Sequence, residues 1–187
     1  MSKIYDIIKR LLYLLALIYY ICPGGIVMYN VGDKIVYPMH GAGVIVGIEE
    51  REILSEKRKY YILKLPVKDM EVMVPVENAD EVGVRDILTR EDMDKVFEVL
   101  GSEEKVEMPK NWSRRYRFNM DRIKSGDIEE IARVVRALER SDTSKNLSTG
   151  ERKLLNSAKQ IIISEMVLVY DEDYEKIVKI VDDAILR

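Results

Sequence analysis

The residues with the clearest potential for chemistry lie between positions 110 and 124, where the chain reads KNWSRRYRFNMDRIK. This segment holds Trp112, the single tryptophan of the chain, and many basic side chains, with Asp121 as its acidic residue. The basic residues are Lys110, Arg114, Arg115, Arg117, Arg122 and Lys124. Basic side chains bind phosphates, and an exposed aromatic ring can stack on a base or insert beside a base step in the minor groove. The segment therefore indicates a local contact with DNA.

The same segment also has the pattern of an ordinary amphipathic helix. At about 3.6 residues per turn, one face carries Trp112, Tyr116, Met120 and Ile123, and basic residues occupy the remainder. In this alternative the indole is buried in a core and the basic face is solvated. Asn111 is a predicted N-cap, which places Trp112 in the first turn, where a large side chain is often half covered. Burial of Trp112 would favour a core role, and exposure beside the arginines would favour DNA.

Other candidate motifs lack the spacing that their chemistry needs. In HGAGVIVG, a dinucleotide fingerprint requires a third glycine three residues after Gly43, but Val46 stands there, so we interpret these glycines as turn residues. His40 has no neighbouring nucleophile in sequence, and the acidic stretch DEDYE at 171–175 is typical of a helix start. Cys22 and His40 are single residues of their types and cannot build a metal cage. We therefore predict a protein without catalytic residues, metal or cofactor.

Composition sets the scale of the fold and excludes a general affinity for polyanions. The 187 residues are 47% hydrophobic, enough for one sizeable core or two small ones. The formal net charge is -3, so binding to nucleic acid or to an anionic membrane has to be local. A single cysteine cannot form an internal disulfide, which favours a reducing compartment and a cytoplasmic protein.

The first 27 residues differ in character from the rest of the chain, because an uncharged apolar run over 11–22 follows several basic residues. As a helix this run would rise roughly 18 Å, less than the roughly 30 Å hydrocarbon core of a bilayer, which suits a signal peptide better than a membrane span. No small-residue cleavage site follows it, and an ordinary domain begins at once with MYNVGDKIVYP. Export or anchoring through the run is the alternative. We interpret 1–27 as an extension outside the fold, with Met28 as the native start, and expect no membrane association.

The elements that would position the basic segment change from strands to helices along the chain. Short runs rich in Val, Ile and Tyr, separated by turn signals, predict a small, bent antiparallel sheet of four or five strands. Helical patterns begin at Thr89, a predicted N-cap, and Ser148 and Glu151 have the spacing of a capping box. The later predicted helices cover 111–124, 127–141, 149–169 and 172–186. The sequence thus predicts an α+β protein, with a sheet domain over 28–88 and an all-α domain over 89–187.

Several of these segments, taken in order, resemble the bacterial CarD/CdnL family of RNA-polymerase-binding transcription regulators. They are VGDKIVYPMHGAGVIVGIEE, YYILKLP, VMVPVENADEVGVRDIL, NWSRRYRFNMDRIKSGD and LSTGERKLLNSAKQIIISEM. The resemblance runs from about Met28 to the C-terminus. The strand-rich part alone is also similar to the polymerase-interaction module of the transcription-repair coupling factor. Nothing in the family matches 1–27, which supports a start at Met28.

The resemblance implies a fold, two partners and a function. The N-terminal domain would be a Tudor-like bent antiparallel sheet that docks on the RNA polymerase β subunit, partly by aligning strand edges. The helical domain would contact promoter DNA at the upstream edge of the transcription bubble and stabilise the open complex, often at ribosomal RNA promoters. Such a protein is non-catalytic and takes no small-molecule substrate. The alternative is a protein-only adaptor whose sheet binds a partner and whose helices do not contact DNA.

The resemblance also assigns site residues. Trp112 would lie against the minor groove, and nearby basic residues would hold phosphates; the expected DNA-binding set is Trp112, Arg114, Arg115, Arg117 and Lys153. The expected polymerase-binding set is Arg51, Val72, Met73 and Val74, with Val72 and Val74 as backbone partners. Some family members have a basic side chain at the position of Met73, so an ion pair is not expected there. Arg85 is expected to pack between the two domains.

Overall fold

The computed structural model of the chain describes residues 28–53, 55–67, 70–145 and 147–185, with only the backbone of 143–145. The extension over 1–27, including Cys22, lies outside the described residues.

An antiparallel sheet forms the N-terminal part of the described chain. Its strands are β1 (Lys34–Tyr37), β2 (Gly41–Ile53), β3 (Glu56–Lys64), β4 (Glu71–Pro75) and β5 (Arg85–Asp86). They are hydrogen-bonded in the order β4-β3-β2-β1-β5. The register of β2 against β3 shifts between Ile45 and Gly47, and a bulge of this kind bends a strand and increases its twist. This arrangement confirms the predicted bent antiparallel sheet.

One face of the sheet forms a small apolar core, because alternate residues of a strand point to the same side. Ile35, Ile45 and Val74 are buried there. Tyr61 is buried in the same core, and its hydroxyl oxygen accepts a hydrogen bond from the backbone N–H of Tyr29 at 3.1 Å. The residues that precede β1 are thereby attached to the sheet.

Helices make up the rest of the described chain. They are α1 (Arg90–Gly101), α2 (Trp112–Lys124), α3 (Ile128–Lys145), α4 (Thr149–Tyr170) and α5 (Tyr174–Ile185). The predicted N-caps Thr89, Asn111 and Ser148 are all present, because each side chain accepts a bond from a first-turn backbone N–H. Asp171, which the sequence places at the start of the last helix, instead ends α4. It adopts the left-handed conformation, with φ of 56°, which Asp tolerates better than most residues.

The helices enclose a second apolar core, to which each of them contributes a buried residue. Met93, Ile123, Leu138, Ile162 and Val181 come from α1 to α5 in that order, and all are buried. The contribution of α2 is near its C-terminal end. Its N-terminal end, where the tryptophan lies, is therefore at the margin of the core.

Helix α4 joins the helical core to the sheet through direct hydrogen bonds. The backbone N–H of Ala42 donates to Ser164 Oγ at 2.8 Å, and Lys34 Nζ donates to the carbonyl oxygen of Leu168 at 2.9 Å. Arg85 on β5 forms an ion pair with Glu165 of the same helix. The two parts of the chain are thus bonded to each other at several points along one side of α4.

Gly41 of the HGAGVIVG stretch belongs to this joint and Gly43 to the contact between β2 and β3, which corrects their interpretation as turn residues. The turn ends at His40, and Gly41 and Gly43 begin strand β2. Gly41 has φ of +104°, and a Cβ placed on it would overlap Ser164 Oγ. A Cβ on Gly43 would lie 2.6 Å from the carbonyl oxygen of Lys64. The glycines are therefore required by close approach to α4 and to β3.

Candidate functional site

Trp112 is the first residue of α2, directly after its N-cap. The side chain of Asn111 accepts a hydrogen bond from the backbone N–H of Arg114 at 3.1 Å, which fixes the start of the helix. The tryptophan side chain is 48% exposed. The alternative in which the indole is a core residue is therefore wrong for this position.

The exposed indole is nevertheless held by specific contacts with the start of α4. Trp112 Nε1 donates a hydrogen bond to Ser148 Oγ at 2.8 Å. The ring stacks on Tyr116, one turn further along α2, with ring centroids 5.9 Å apart. A Cβ added to Gly150 would lie 3.7 Å from Trp112 Cζ2, an ordinary contact distance. The ring thus has one surface against the protein and one open to solvent.

Two helix N-termini meet at this tryptophan, because Trp112 begins α2 and Ser148 caps α4. The N-terminus of a helix carries a partial positive charge and unpaired backbone N–H groups, which favour anions. Other helices of the chain place acids there, such as Glu91 and Asp92 in α1, whereas the first turn of α2 has Arg114 and no acidic residue. At the start of α4 the first-turn acid Glu151 offsets this charge, so the positive field comes mainly from the start of α2 and the basic residues beside it.

Arg115 is engaged within the protein. Its Nε donates to Glu151 Oε1 at 2.7 Å, and its Nη1 donates to the carbonyl oxygen of Lys110 at 3.3 Å. Glu151 is 2% exposed and belongs to the capping box with Ser148. Burial alone would raise the pKa of Glu151, but the hydrogen bonds from Arg115 and Ser148 outweigh it and lower the pKa below the ordinary value. Arg115 therefore joins α2 to α4, and a quarter of its side chain is left exposed.

The other expected phosphate ligands are open. Arg114, Arg117 and Lys153 are exposed, and none of them has a carboxylate partner among the described residues. Arg122 differs, since its Nε lies 3.1 Å from Glu130 Oε2 and its guanidinium stacks on the Phe118 ring. The basic residues of the segment thus divide into those that face solvent and those that hold the helices together.

The second expected surface is β4, which lies at one end of the sheet among the described strands. Val74 is buried in the sheet core and Val72 packs against it, while Met73 points to the other face and is 49% exposed. The two valines thus follow core alternation with their side chains. The exposed surface of this strand comes from Met73.

The hydrogen-bond phase of β4 corrects the expectation that Val72 and Val74 offer their backbone to a partner. Val76 N donates to Lys59 O, and Leu65 N donates to Met70 O, on either side of the β3–β4 ladder. Because bonded pairs alternate in an antiparallel ladder, Val72 and Val74 bond to β3. The outward backbone groups belong to Glu71, Met73 and Pro75, and Pro75 supplies a carbonyl alone.

Arg51 and Arg85, the other expected residues, lie apart from this edge. Arg51 is exposed on β2, where it forms an ion pair with Glu49. Its cross-strand neighbour is Arg58 of β3, so it belongs to the arm of the β2–β3 hairpin. Arg85 lies between sheet and helices, as expected, where it is paired with Glu165.

Sequence reasoning missed the partners of Trp112. The capping box of Ser148 and Glu151 was recognised, because it is a local pattern of four residues. Its contact with Trp112 and Arg115 spans 36 residues of sequence and follows from the packing of α4 against α2. The single local signal was the absence of an acid in the first turn of α2.

Every helix in the described part of the chain is too short or too polar to span a bilayer. No cluster of His, Cys, Asp and Glu suitable for a metal ion occurs within 28–53, 55–67, 70–145 and 147–185.

Comparison with known proteins finds matches over both parts of the chain. Residues 29–88 match the family described as CarD-like/TRCF RID domain, and residues 95–182 match the family described as CarD, C-terminal domain. The chain is also similar to "Putative transcription factor YdeB" of Bacillus subtilis (strain 168). The two are 40% identical over 145 residues, which cover 76% of this chain and 92% of the relative.

Proposed function

The chain belongs to the CarD-like family of transcription factors, and we propose that it is a non-catalytic regulator that bridges RNA polymerase and promoter DNA. In this proposal the Tudor-like sheet binds the polymerase β subunit, and the helices contact DNA at the upstream edge of the transcription bubble. The open promoter complex is thereby stabilised. The observation that carries the proposal is the half-exposed Trp112 at the meeting point of two helix N-termini, beside basic side chains that face solvent.

The DNA contact combines a ring with flanking positive charges. The open surface of the Trp112 indole can lie against an unstacked base step in the minor groove. Arg114, Arg117 and Lys153 supply phosphate ligands around it, and the N-terminus of α2, which has no acid in its first turn, adds to the positive field. Arg115 can contribute only through the exposed part of its guanidinium. These contacts read the shape of a junction and require no sequence readout.

Stabilisation of an open complex requires that the protein bind the melted geometry better than closed duplex. A rigid ring at the edge of the bubble meets this condition, because an exposed base step is present there and absent from stacked duplex. Phosphate contacts alone would bind both forms. The indole is thus the element that discriminates, and the basic side chains supply affinity.

The polymerase contact uses the free edge of β4. Glu71 and Met73 have outward backbone groups that can pair with a strand of the β subunit, a form of β-augmentation. Val72 and Val74 support this by holding β4 on β3 and in the core. The exposed Met73 side chain adds apolar contact, and Arg51 is proposed as a second contact from the hairpin arm.

The two contacts reinforce each other. Docking on polymerase raises the effective concentration of the helices near DNA, so that the DNA affinity of the free protein can be weak. This suits a chain with a net charge of -3 and a local basic surface around Trp112. We place the protein in the cytoplasm, where polymerase and promoter DNA are present.

The test is the lifetime of the open complex on a ribosomal RNA promoter with the cognate polymerase. The reactions compare no regulator, the full chain, the Trp112→Ala variant and an Ile180→Ala variant. Ile180 is an exposed apolar residue on α5, remote in sequence from both helix N-termini, and serves as the matched control. We expect the full chain and Ile180→Ala to prolong the lifetime, and Trp112→Ala to bind polymerase without prolonging it.

A lifetime that is the same with and without the full chain would contradict the proposal. A lifetime that is prolonged equally by the full chain and by Trp112→Ala would contradict the role of the indole. In that case a protein-only adaptor, with polymerase as partner and no DNA contact, would account for the result.

A further inference from the structure

Ser148 and Glu151 at the start of α4, together with Arg115 of α2, form a hydrogen-bonded group beside the indole. We call these three residues the bracket. Ser148 Oγ accepts from Trp112 Nε1 at 2.8 Å and from the backbone N–H of Glu151 at 3.3 Å, and it donates to Glu151 Oε2 at 2.7 Å. A hydroxyl has one proton to donate and two lone pairs to accept. Because the proton of Ser148 is directed to Glu151, its lone pairs are oriented toward the indole and the helix backbone.

Arg115 closes this bracket on the other side. It lies three residues after Trp112 on the same helix, and its Nε donates to the second oxygen of Glu151. Glu151 is buried, so its ion pair is shielded from water and holds its geometry better than a surface pair. The hydrogen bonds link Trp112 to Ser148, Ser148 to Glu151, and Glu151 to Arg115. Because Arg115 and Trp112 lie one turn apart on α2, the backbone of that turn closes the circuit.

We propose that Ser148 is a positioning residue that fixes the plane of the Trp112 indole for contact with DNA, and that Glu151 and Arg115 hold Ser148 in place. The inference rests on the proposed function, because it concerns the same ring. Trp112 as a whole residue is about half exposed, so packing alone leaves its ring room to reorient. A ring that is already ordered loses less conformational entropy when it binds. In this proposal Arg115 helps to position the indole, whereas Arg114 and Arg117 bind phosphates.

Fluorescence tests the bracket directly, since Trp112 is the single tryptophan of the chain and all indole emission comes from one site. Ser148→Gly removes the hydroxyl, and glycine at an N-cap weakens the helix only slightly. Ser148→Thr keeps the hydroxyl and serves as the conservative variant. Thr89→Gly is the matched control, because it removes an equivalent N-cap from α1, a different helix.

We expect Ser148→Gly to increase the fast component of the anisotropy decay and the quenching of Trp112 by acrylamide. Ser148→Thr and Thr89→Gly should both keep the fluorescence of the unmodified chain. The same variants are then compared for open-complex lifetime on the ribosomal RNA promoter. Ser148→Gly should shorten the lifetime by about fivefold, as expected for the removal of one net hydrogen bond, and Ser148→Thr should restore it.

The outcomes separate this inference from the proposed function. A mobile indole with a shortened lifetime in Ser148→Gly alone supports the inference. If Trp112→Ala shortens the lifetime while Ser148→Gly leaves either the fluorescence or the lifetime unchanged, the positioning role is overturned and the proposed function stands. If Trp112→Ala has no effect on the lifetime, the proposed function is overturned, and positioning for DNA is overturned with it.

Discussion

Arg85 and Glu165 connect the sheet to the helices by two parallel hydrogen bonds, of 2.7 Å and 2.9 Å between guanidinium nitrogens and carboxylate oxygens. Glu165 is fully buried, and its Oε1 also accepts from the backbone N–H of Leu88 at 3.0 Å. A bidentate pair fixes orientation as well as distance. The carboxylate therefore holds β5, the following segment and α4 in one arrangement.

Arg85→Ala should destabilise the protein by roughly 2–4 kcal/mol, because it leaves the Glu165 carboxylate buried with its ion-pair partner removed. The range is set below that of a fully buried pair, since the Arg85 side chain is 32% exposed. Urea unfolding followed by circular dichroism measures the decrease. Arg58→Ala, which removes an exposed pair with Glu56 on the hairpin, should leave the midpoint nearly unchanged. Equal urea midpoints for Arg85→Ala and the unmodified chain would show that the Arg85–Glu165 pair does not stabilise the contact between sheet and helices.

Met73→Pro should leave the fold intact and weaken binding to the polymerase β subunit by about fivefold or more, because proline removes an outward N–H from an edge strand. Binding is measured with purified β subunit, and thermal unfolding is measured on the same sample. Met73→Ala keeps the N–H and removes most of the side chain, so it separates the backbone contribution from the apolar one. Undiminished binding by Met73→Pro would mean that the partner does not pair with β4.

Arg114→Ala and Arg117→Ala should each reduce the dependence of DNA affinity on salt. The log-log slope should fall by about 0.9 for each phosphate that the variant no longer neutralises. Arg115→Ala is the comparison within the same helix. It should lower affinity by loosening Trp112 and leave the slope close to that of the unmodified chain. The measurement is a series of binding titrations between low and moderate salt on a fork-shaped duplex. A slope reduced as much by Arg115→Ala as by Arg114→Ala would assign Arg115 to a phosphate.

Acid should weaken the α2–α4 bracket. The pKa of Glu151 is lowered in the folded state from its ordinary value of 4.5, so its ion pair contributes stability above that pH, and the contribution disappears as pH falls through the folded pKa. The difference in unfolding free energy between the unmodified chain and Glu151→Gln should therefore be largest near neutrality and shrink below pH 4.5. Glu98→Gln, an exposed change of the same kind on α1, is the control for the substitution itself. A constant difference for Glu151→Gln would contradict the bracket.

Local sequence patterns predicted much of the fold. Asn111 and the pair Ser148 and Glu151 were predicted as caps because N-capping depends on residue types a few positions apart. Short runs rich in Val, Ile and Tyr, separated by turn signals, predicted the sheet. The residue types of the 110–124 segment predicted Trp112 as a DNA contact, and its exposure agrees with its position in a first turn.

Contacts between residues far apart in the sequence could not be predicted from local patterns. Arg114 and Arg115 are neighbours of one type, yet a buried carboxylate 36 residues away engages Arg115 and leaves Arg114 open. Which residues of β4 direct their backbone N–H and C=O groups outward depends on the register of β4 against β3. The alternation of side chains along β4 does not predict that register. The role of Gly41 likewise depends on Ser164, a residue of a distant helix.

The outward-facing backbone groups of β4 also affect self-association. An exposed strand edge can pair with any extended chain, including a second copy of the same protein. Here the ladder offers N–H groups at Glu71 and Met73 and then stops, because Pro75 has none to donate. Two copies joined edge to edge through β4 would gain only a few backbone hydrogen bonds. Pairing through this edge alone therefore supplies few bonds, and a stable complex through β4 needs further contact surface from the partner.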